Sequence, residues 1–424
     1  MRSGESGRRD PAGAAVSRSV LFYVQYLLGI GHLQRSLRIA DALARNGIAV
    51  TLVSGGPPVA ELATDRAIKV VQLPPIRARD ATFALIDEAG RPIDDALREK
   101  RREQLLQVFA DTRPGAVIIE GFPFARRAFR FELDPLLATA SATKPRPHVI
   151  CSVRDIIAWR DDPAQHREIA ERVRHDFDAV MVHGDPALIP FEASFPLASE
   201  IANRLIYTGY VHEAQLPPDL RFAAILPPPL PGEGQAPGEV VVSAGGGAAG
   251  RDLLAAALQA RRDGCLAEST WRLLTGMNLP EPEFERLQQT APRDVAIERF
   301  RSDLPALLRQ CRVSVSQAGY NTVLDILAAR ARAVLVPFAA ERETEQLMRA
   351  ERLAALGAVE LVRESELTPA TLAAAIERAA AREPAPIAIN SDGAARSACI
   401  VAALIDGCPA GHLAAKTGTA MIRQ

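Results

Sequence analysis

The sequence predicts an α/β protein with two domains, each built around a parallel sheet, and three observations support this prediction. A chain of 424 residues exceeds what one hydrophobic core usually supports, so two domains of roughly 200 residues each are expected. Short β-branched runs alternate with amphipathic stretches in the first half, as they do in successive βα units. The same alternation restarts at Glu239, after a proline-rich segment.

The elements of the first half follow from this alternation. Amphipathic helices are predicted over residues 33–45 and 97–112. The predicted strands span residues 20–25, 49–53, 69–72, 116–119, 148–152 and 179–182.

Proline marks the boundary between the two halves. Residues 216–238 contain seven prolines, which exclude regular structure over most of this segment. The last helix of the chain is a candidate to return to the first domain. We expect a disordered arm at 1–18, a first domain at 19–211, a linker at 212–238 and a second domain at 239–424.

The composition is that of a soluble enzyme without a nucleic-acid partner, because the net charge is −1 and 24% of the residues are charged. No apolar run reaches the roughly 20 residues that a spanning helix needs, and the N-terminus lacks the apolar stretch of a signal peptide. The five cysteines are scattered without metal-ligand spacing, which favours reduced thiols. We therefore expect a cytoplasmic protein with neither a metal nor another cofactor.

One turn in the second half has the features of a nucleotide site. A predicted strand at 313–315 runs into Gly319, and the helix that follows carries Asp325 about one turn further on. Glycine lets a ligand approach the backbone closely, and a helix start offers unpaired N–H groups to phosphate. Asp325 can accept both hydroxyls of a ribose. Ordinary packing of an α/β unit explains the same pattern, so both interpretations stay open for this segment alone.

A second glycine-rich loop lies between the predicted strand 240–242 and the predicted helix 251–261. Three consecutive glycines cost backbone entropy unless a ligand needs a close approach. A flexible turn without a ligand is the alternative. The dinucleotide-binding pattern Gly-x-Gly-x-x-Gly, with an acid about 20 residues further on, is absent. The candidates for phosphate binding are Ser243, Gly245, Gly246 and Gly247.

The first predicted strand runs into a third turn, which contains Gly29 and Gly31 and ends at His32. An imidazole with a pKa of about 6.5 can take a proton from a hydroxyl at neutral pH, so His32 is a candidate general base. A histidine that only caps or braces the helix start is the alternative.

The order of these motifs resembles the GT-B glycosyltransferases, and in particular family 28, which includes the enzyme that adds N-acetylglucosamine to the peptidoglycan lipid intermediate. The resemblance rests on residues 313–325, on the strand end Pro337-Phe338 and on the helix opening that follows. Nearly the whole chain also resembles a group of uncharacterised bacterial predicted glycosyltransferases with a Tyr-x-Leu-Gly-x-Gly-His opening. The resemblance implies the GT-B fold, in which two Rossmann-like domains face each other across a ligand-binding cleft.

The resemblance also implies roles for individual residues. Asp325 would bind the nucleotide ribose, and it replaces the family's usual Glu, which shortens the reach by one methylene group and leaves the nucleotide open. Glu345 and Gln346 would face the donor sugar. Gly29, Gly31 and His32 would point toward the donor diphosphate and the acceptor. The other residues implied on the donor side are Ser243, Gly245, Gly246, Gly247, Gly319, Asn321 and Thr322.

Residues in two further regions complete the expected cleft, one on the donor side and one on the acceptor side. Phe300 and Arg301, in the predicted strand 295–301, would meet the nucleobase by resemblance. The alternatives are a phenylalanine packed in the core and an arginine that contacts phosphate instead. On the acceptor side, Glu120 and Asp155 follow predicted strands at the edge where sites form, and they are reserve bases should His32 be structural.

The expected reaction transfers a hexose or N-acetylhexosamine from a nucleotide-diphosphate sugar, with a UDP-sugar favoured, to an acceptor hydroxyl. We expect the transfer to invert the anomeric configuration. We expect no metal to be required, because helix N-termini and loop N–H groups can stabilise the leaving diphosphate. A nucleotide-sugar 2-epimerase and a non-catalytic nucleotide-sugar-binding protein are the alternatives. The acceptor stays open, and a lipid acceptor would bring the protein to the inner face of the membrane.

Overall fold

The structure, a computed structural model, describes residues 17–27, 30–59, 68–79, 84–157, 162–212, 238–245, 250–277, 279–338 and 344–421. Most of the predicted arm and most of the predicted linker lie outside these residues. Two parallel sheets carry the fold, which confirms the predicted α/β class with two Rossmann-like halves.

The first sheet has seven parallel strands in the order β3-β2-β1-β6-β7-β8-β9, and β4 and β5 form a small hairpin beside it. The central strands β1 and β6 are buried at every residue because helices cover both faces of a parallel sheet. The edge strand β9 was not predicted, because its three residues are too short to show a period. The strands are Ser19–Val24 (β1), Ala49–Ser54 (β2), Ile68–Gln72 (β3), Arg77–Ala78 (β4), Leu85–Ile86 (β5), Ala116–Glu120 (β6), His148–Arg154 (β7), Ala179–His183 (β8) and Leu205–Tyr207 (β9).

Side-chain caps fix the starts of two helices in this half. Asp94 accepts a hydrogen bond from the backbone N–H of Leu97 at 2.8 Å, and Asp162 accepts one from Gln165 at 3.0 Å. Such caps satisfy N–H groups that have no partner within the helix. The helices are Gly31–Arg45 (α1), Asp95–Thr112 (α2), Arg130–Ala142 (α3) and Pro163–Asp176 (α4).

The second sheet has six parallel strands in the order β12-β11-β10-β13-β14-β15. The order reverses between β10 and β13, which is the position where open α/β sheets bind ligands. Its strands are Val240–Ser243 (β10), Trp271–Leu274 (β11), Val295–Glu298 (β12), Val313–Ser316 (β13), Ala333–Leu335 (β14) and Glu360–Leu361 (β15). Its helices are Arg251–Arg262 (α5), Glu281–Thr290 (α6), Leu304–Gln310 (α7), Tyr320–Ala329 (α8), Glu345–Ala355 (α9) and Pro369–Ala381 (α10).

The predicted strand 295–301 is wrong at its C-terminal end, because β12 stops at Glu298. Its neighbour β11 stops at Leu274, so the regular strand pairing ends at this residue. The residues beyond Glu298 belong to the loop at the carboxyl end of β12.

The chain crosses between the two halves at two adjacent places. The backbone N–H of Tyr210 donates to Asn390 at 2.7 Å, and that of Gly393 donates to Tyr210 at 3.0 Å. A Cβ atom on Gly393 would lie 2.5 Å from the carbonyl oxygen of Gly209, so glycine is needed where the two crossings touch. After the second crossing, Gly393–Ile405 (α11) packs on α1, and Ala410–Met421 (α12) packs beside β9.

In the part of the chain that the structure describes, no helix has both the length and the apolar character needed to cross a membrane.

Candidate active site

Two turns that were predicted from the sequence face each other across the boundary between the domains. The turn after β1 leads into α1 at Gly31, and the turn after β13 leads into α8 at Tyr320. A Cβ atom on Gly31 would lie 3.6 Å from Nδ2 of Asn321. The carboxyl ends of the two sheets therefore meet here, where ligands bind in folds of this class.

His32 contributes an imidazole to this junction, with 22% of its side chain exposed. Its Nδ1 atom lies 3.1 Å from Oε1 of Glu120 and 3.1 Å from a terminal nitrogen of Arg35. A carboxylate only accepts, and Arg35 is already paired with Glu120, so we assign the Nδ1 proton to a hydrogen bond with the carboxylate. The lone pair is then on Nε2, for which the described residues provide no hydrogen-bond partner.

The surroundings of His32 keep the imidazole neutral. Burial and the charge of Arg126 lower the pKa of His32 to about 3, and the hydrogen bond to Glu120 opposes them only in part. The neutral imidazole is the form that can accept a proton. Burial and the charge of Arg126 together make this imidazole a weak base, and an anion bound at Arg126 would remove the second of these two causes.

Glu120 is the buried carboxylate behind His32, with 1% of its side chain exposed. Burial acts to raise the pKa of Glu120, but the charge of Arg35 and the hydrogen bond from His32 together outweigh it and hold this pKa well below its usual range. Ser152 donates to its second oxygen at 2.5 Å and lies 2.9 Å from Nε2 of His183. The expectation that Glu120 is a reserve base at the cleft edge is corrected by this burial, because the acceptor cannot reach its carboxylate.

Asp155, the other reserve base, is also fully buried. Its Oδ1 atom accepts a hydrogen bond from Arg349 at 3.0 Å, and its Oδ2 atom accepts one from the hydroxyl of Tyr210 at 3.3 Å. Both oxygens have partners and neither is open to an acceptor, so the expectation that Asp155 lies at the cleft edge is corrected as well.

Arg349 of α9 connects the two domains through buried ion pairs. Besides Asp155 of the first domain, it donates to Glu345 at 2.9 Å and to the carbonyl of Ala318 at 3.1 Å. Arg154 of the first domain lies 2.6 Å from the other oxygen of Glu345. Removing one member of such a buried set leaves a charge without compensation. The described conformation is thus one in which the domains are held together at this edge.

Tyr320, the first residue of α8, is fixed against the first domain. Its hydroxyl donates to the carbonyl of His183 at 3.1 Å and accepts from the backbone N–H of Val211 at 3.2 Å. Two guanidinium groups lie over its ring, with the central carbons of Arg35 and Arg349 at 5.5 and 5.6 Å from the ring centroid. The start of α8 is therefore positioned relative to the turn that carries the imidazole.

The two residues expected to face the donor sugar have different surroundings. Glu345 has only 4% of its side chain exposed and is occupied by two arginines. Gln346 accepts two backbone N–H groups at its Oε1 atom, from Ala318 at 3.0 Å and from Phe338 at 3.2 Å. These donors fix the orientation of the amide, so its NH₂ group points away from them and can donate to a ligand.

The start of α8 has the geometry of an anion site. No side chain caps this helix, and a Cβ atom on Gly319 would have no neighbour closer than Oγ1 of Thr322 at 3.9 Å. The space beside the turn is therefore open. Further along α8, Oδ1 of Asp325 lies 2.7 Å from Nε2 of His212.

The loop after β10 lies next to this turn. Ser243 ends the strand, and Gly245 has a φ of +67°, which favours glycine. A Cβ atom on Gly245 would lie 3.1 Å from Oε1 of Gln317, so the loop and the turn after β13 approach each other closely. Three predicted donor residues, Gly29, Gly246 and Gly247, lie outside the described residues.

The edge expected to meet the nucleobase presents two apolar side chains. Phe300 is 68% exposed and Met277 is 64% exposed, so the alternative of Phe300 as a core residue is excluded. The strand ends that carry them are neighbours, because the N–H of Gly276 donates to the carbonyl of Arg299 at 3.0 Å. Arg301 forms two hydrogen bonds of 2.7 Å to Asp303, and this pairing leaves it less available to a phosphate.

Several residues of this site were not identified from the sequence. Arg35 lies one turn after His32 on α1, and Arg349 lies one turn after Glu345 on α9, so helical spacing could have indicated both. His212 and Arg126 show no local pattern that would have identified them. Within the described part of the chain, no group of three or more potential metal-ligating side chains is found.

Comparison with known proteins supports the family resemblance that the sequence motifs indicated. Residues 240–399 match the Glycosyltransferase family 28 C-terminal domain. The chain is 27% identical over 357 residues to the UDP-N-acetylglucosamine–N-acetylmuramyl-(pentapeptide) pyrophosphoryl-undecaprenol N-acetylglucosamine transferase of Phenylobacterium zucineum, which covers 82% of this chain and 86% of that protein.

Two solved structures show that the fold is shared over almost the whole chain. The calicheamicin glycosyltransferase CalG4 is 18% identical with a TM-score of 0.56, covering 95% of this chain and 98% of that one. MurG of Acinetobacter baumannii is 15% identical with a TM-score of 0.52, covering 95% of this chain and 99% of that one. The resemblance found in the sequence is confirmed: the chain has the GT-B fold with a family 28-like C-terminal domain, which supports an enzyme of the hexosyltransferase type.

Proposed function

We propose that this enzyme transfers a hexose or N-acetylhexosamine from a UDP-sugar to an acceptor hydroxyl, with inversion and without a bound metal. The observation that carries the proposal is the position of His32. Its imidazole is backed by the buried Glu120, and its turn faces the uncapped start of α8 across the domain boundary. A base on one domain and a phosphate-binding helix start on the other are the two parts that such a transfer needs.

In the proposed reaction, Nε2 of His32 accepts the proton of the acceptor hydroxyl as its oxygen forms a bond to the anomeric carbon. The bond between that carbon and the diphosphate oxygen breaks, and its electron pair leaves with the nucleoside diphosphate. Glu120 holds the imidazole in the required tautomer and stabilises the imidazolium that forms, as the carboxylate of a catalytic triad does.

The second domain supplies the donor site in this proposal. The N–H groups at the start of α8 and the loop that begins at Ser243 would stabilise the departing diphosphate. Asp325 would hold the ribose, and the NH₂ group of Gln346 would donate to the sugar. A UDP-sugar is favoured because the Phenylobacterium relative is named for a UDP-N-acetylglucosamine donor.

The acceptor and the location follow from the same relative. Its name specifies a pyrophosphoryl-undecaprenol acceptor, so a lipid-linked acceptor is the first class to test. An enzyme that acts on such a lipid would work in the cytoplasm at the inner face of the membrane, through peripheral contact.

The experiment uses donors alone, with water in place of the acceptor. Calorimetric titration with UDP and with UDP-, dTDP- and GDP-sugars tests binding, and early NMR spectra of the released sugar identify its anomer in the presence of EDTA. We expect UDP-sugars to bind and to release the inverted anomer slowly. Release of a 2-epimer would favour an epimerase, and a lack of binding by every nucleotide sugar would contradict the proposal.

A further inference from the structure

Arg126 is a cation of the active-site junction that forms no ion pair with any described residue. It lies in the turn after β6, and its Nε atom donates to the carbonyl of Gln25 at 2.7 Å. Among the described residues, no carboxylate lies within ion-pair distance of its guanidinium. Burial lowers the pKa of Arg126 to about 10, the charge of Glu120 opposes this only in part, and the charge of Arg154 adds to it, so the group is charged at neutral pH.

The other guanidinium groups at this junction are all compensated. Arg35 pairs with Glu120, Arg154 pairs with Glu345, and Arg349 pairs with Glu345 and with an aspartate. A buried or half-buried cation without an anion is costly, and proteins retain such a group mainly where a ligand supplies the missing charge.

The backbone at Arg126 is also unusual. Its φ of +62° lies in the left-handed region, where a residue other than glycine is strained. Strain of this kind is concentrated at functional sites, because the surrounding structure must maintain it. The aliphatic part of the Arg126 side chain passes the turn at Gly121, where a Cβ atom would lie 3.6 Å from its Cγ atom.

The guanidinium is close to the proposed base. Arg126 is anchored on Gln25, directly after β1, while His32 is anchored on Glu120, at the end of β6, and these two strands are neighbours in the sheet. After burial, the charge of Arg126 is the largest influence that lowers the pKa of His32. A group bound by Arg126 would therefore lie beside the hydroxyl that the imidazole deprotonates.

We propose that Arg126 binds an anionic oxygen group, a phosphate or a carboxylate, that the acceptor carries near the hydroxyl to be glycosylated. This inference rests on the proposed function. The donor diphosphate is the other possible source of such a group, but the donor site lies on the second domain, at the start of α8 and the loop after β10. Arg126 belongs to the first domain, on the side of His32, which assigns it to the acceptor.

The test is a calorimetric titration of inorganic pyrophosphate, and separately of citrate, into protein saturated with UDP. Arg126→Ala removes the guanidinium, and Arg126→Gly removes it while also relieving the left-handed backbone, so this second variant does not depend on a strained turn. Arg127→Ala is the matched control, because its neighbouring guanidinium pairs with Glu168 at 2.9 Å, away from the junction.

We expect both Arg126 variants to raise the Kd of pyrophosphate or citrate at least tenfold and to leave the Kd of UDP unchanged, while Arg127→Ala changes neither. A tenfold loss of UDP affinity in the Arg126 variants would overturn the inference and assign the residue to the donor. A Kd for pyrophosphate and for citrate that is the same in the Arg126 variants as in the wild type would also overturn the inference. So would the absence of binding to the wild type at about 10 mM, an order-of-magnitude ceiling for weak ion contacts. If UDP itself does not bind the wild type, the proposed function fails, and the same titrations without UDP still test Arg126.

Discussion

His212 ends the first crossing between the domains, and its Nε2 atom lies 2.7 Å from Oδ1 of Asp325, the proposed ribose ligand. The interaction connects the segment that crosses between the domains with α8 of the second domain. One carboxylate oxygen is held by the imidazole, and the other is available to a ribose hydroxyl. The shorter side chain, Asp in place of Glu, is thus positioned by a partner from the crossing segment.

Asp325→Ala is expected to weaken UDP binding by roughly 1.5–3 kcal/mol, the scale of hydrogen bonds to a charged group. Calorimetric titration with UDP measures the effect, and the thermal unfolding curve checks that the variant is folded. His212→Ala is a useful companion, because it should give a smaller loss if it only orients the carboxylate. Unchanged UDP affinity in a folded Asp325 variant would rule out the ribose assignment.

Gln346→Ala is expected to lower the affinity for the UDP-sugar and to leave the affinity for UDP nearly intact, because its NH₂ group would contact only the sugar. The measurement is a pair of titrations, with UDP-sugar and with UDP. Equal losses for both ligands would show that Gln346 supports the turn and not the sugar.

Glu345→Ala should behave differently from its neighbour, because Glu345 joins two arginines in a buried network. Loss of this carboxylate leaves Arg154 without its ion-pair partner, and breaking a buried pair typically costs about 3–5 kcal/mol. We expect a clear decrease in the free energy of unfolding in urea. A stability equal to the wild type would mean that these ion pairs contribute nothing net.

His32→Ala is expected to reduce turnover by about 10²–10⁴-fold with little change in the Kd of the donor, the usual contribution of a positioned general base. Release of UDP from the donor measures turnover, and His175→Ala, which changes an exposed histidine far along the chain, is the control. Lost donor binding would indicate a phosphate or structural role, and unchanged turnover would contradict the assignment of the base.

Acid should destabilise the fold through two histidines. Burial is the first cause that lowers the pKa of His32 and of His183 to about 3 in the folded protein, whereas the unfolded values are near 6.5. Between these values only the unfolded state binds the two protons, so stability is complete above pH 6.5 and is lost as the pH falls toward 3. At about 1.4 kcal/mol per proton and pH unit, the slope approaches roughly 2.7 kcal/mol per pH unit near pH 5.

Urea unfolding at a series of pH values between 7 and 4 measures this slope. His183→Gln should remove about half of it, since one of the two protons no longer contributes, whereas His175→Gln should leave it unchanged because that imidazole is exposed. A stability that does not vary with pH in this range would contradict the neutral, buried state of both imidazoles.

Local patterns predicted most of the fold and part of the site. The strand ends, the turns at His32 and Gly319 and the helix opening at Gln346 each have a signal within about ten residues of sequence, because turn and helix-start chemistry is local. The pairing of Asp155 with Arg349 joins residues 194 positions apart, and no periodicity reports it. Glu120 illustrates the same limit, since a charged residue after a strand looks the same in sequence whether it is exposed or buried.

The return of α11 to the first half has a consequence for how the protein is made. Ala398, Val401 and Leu404 of α11 share one buried cluster with Leu33 and Leu43 of α1. During synthesis the N-terminal sheet and α1 emerge first, yet the part of this cluster that α11 covers stays exposed until residues 393–405 have been added. A nascent or truncated chain that stops before Gly393 would expose this apolar surface, so the half that is translated first is completed last.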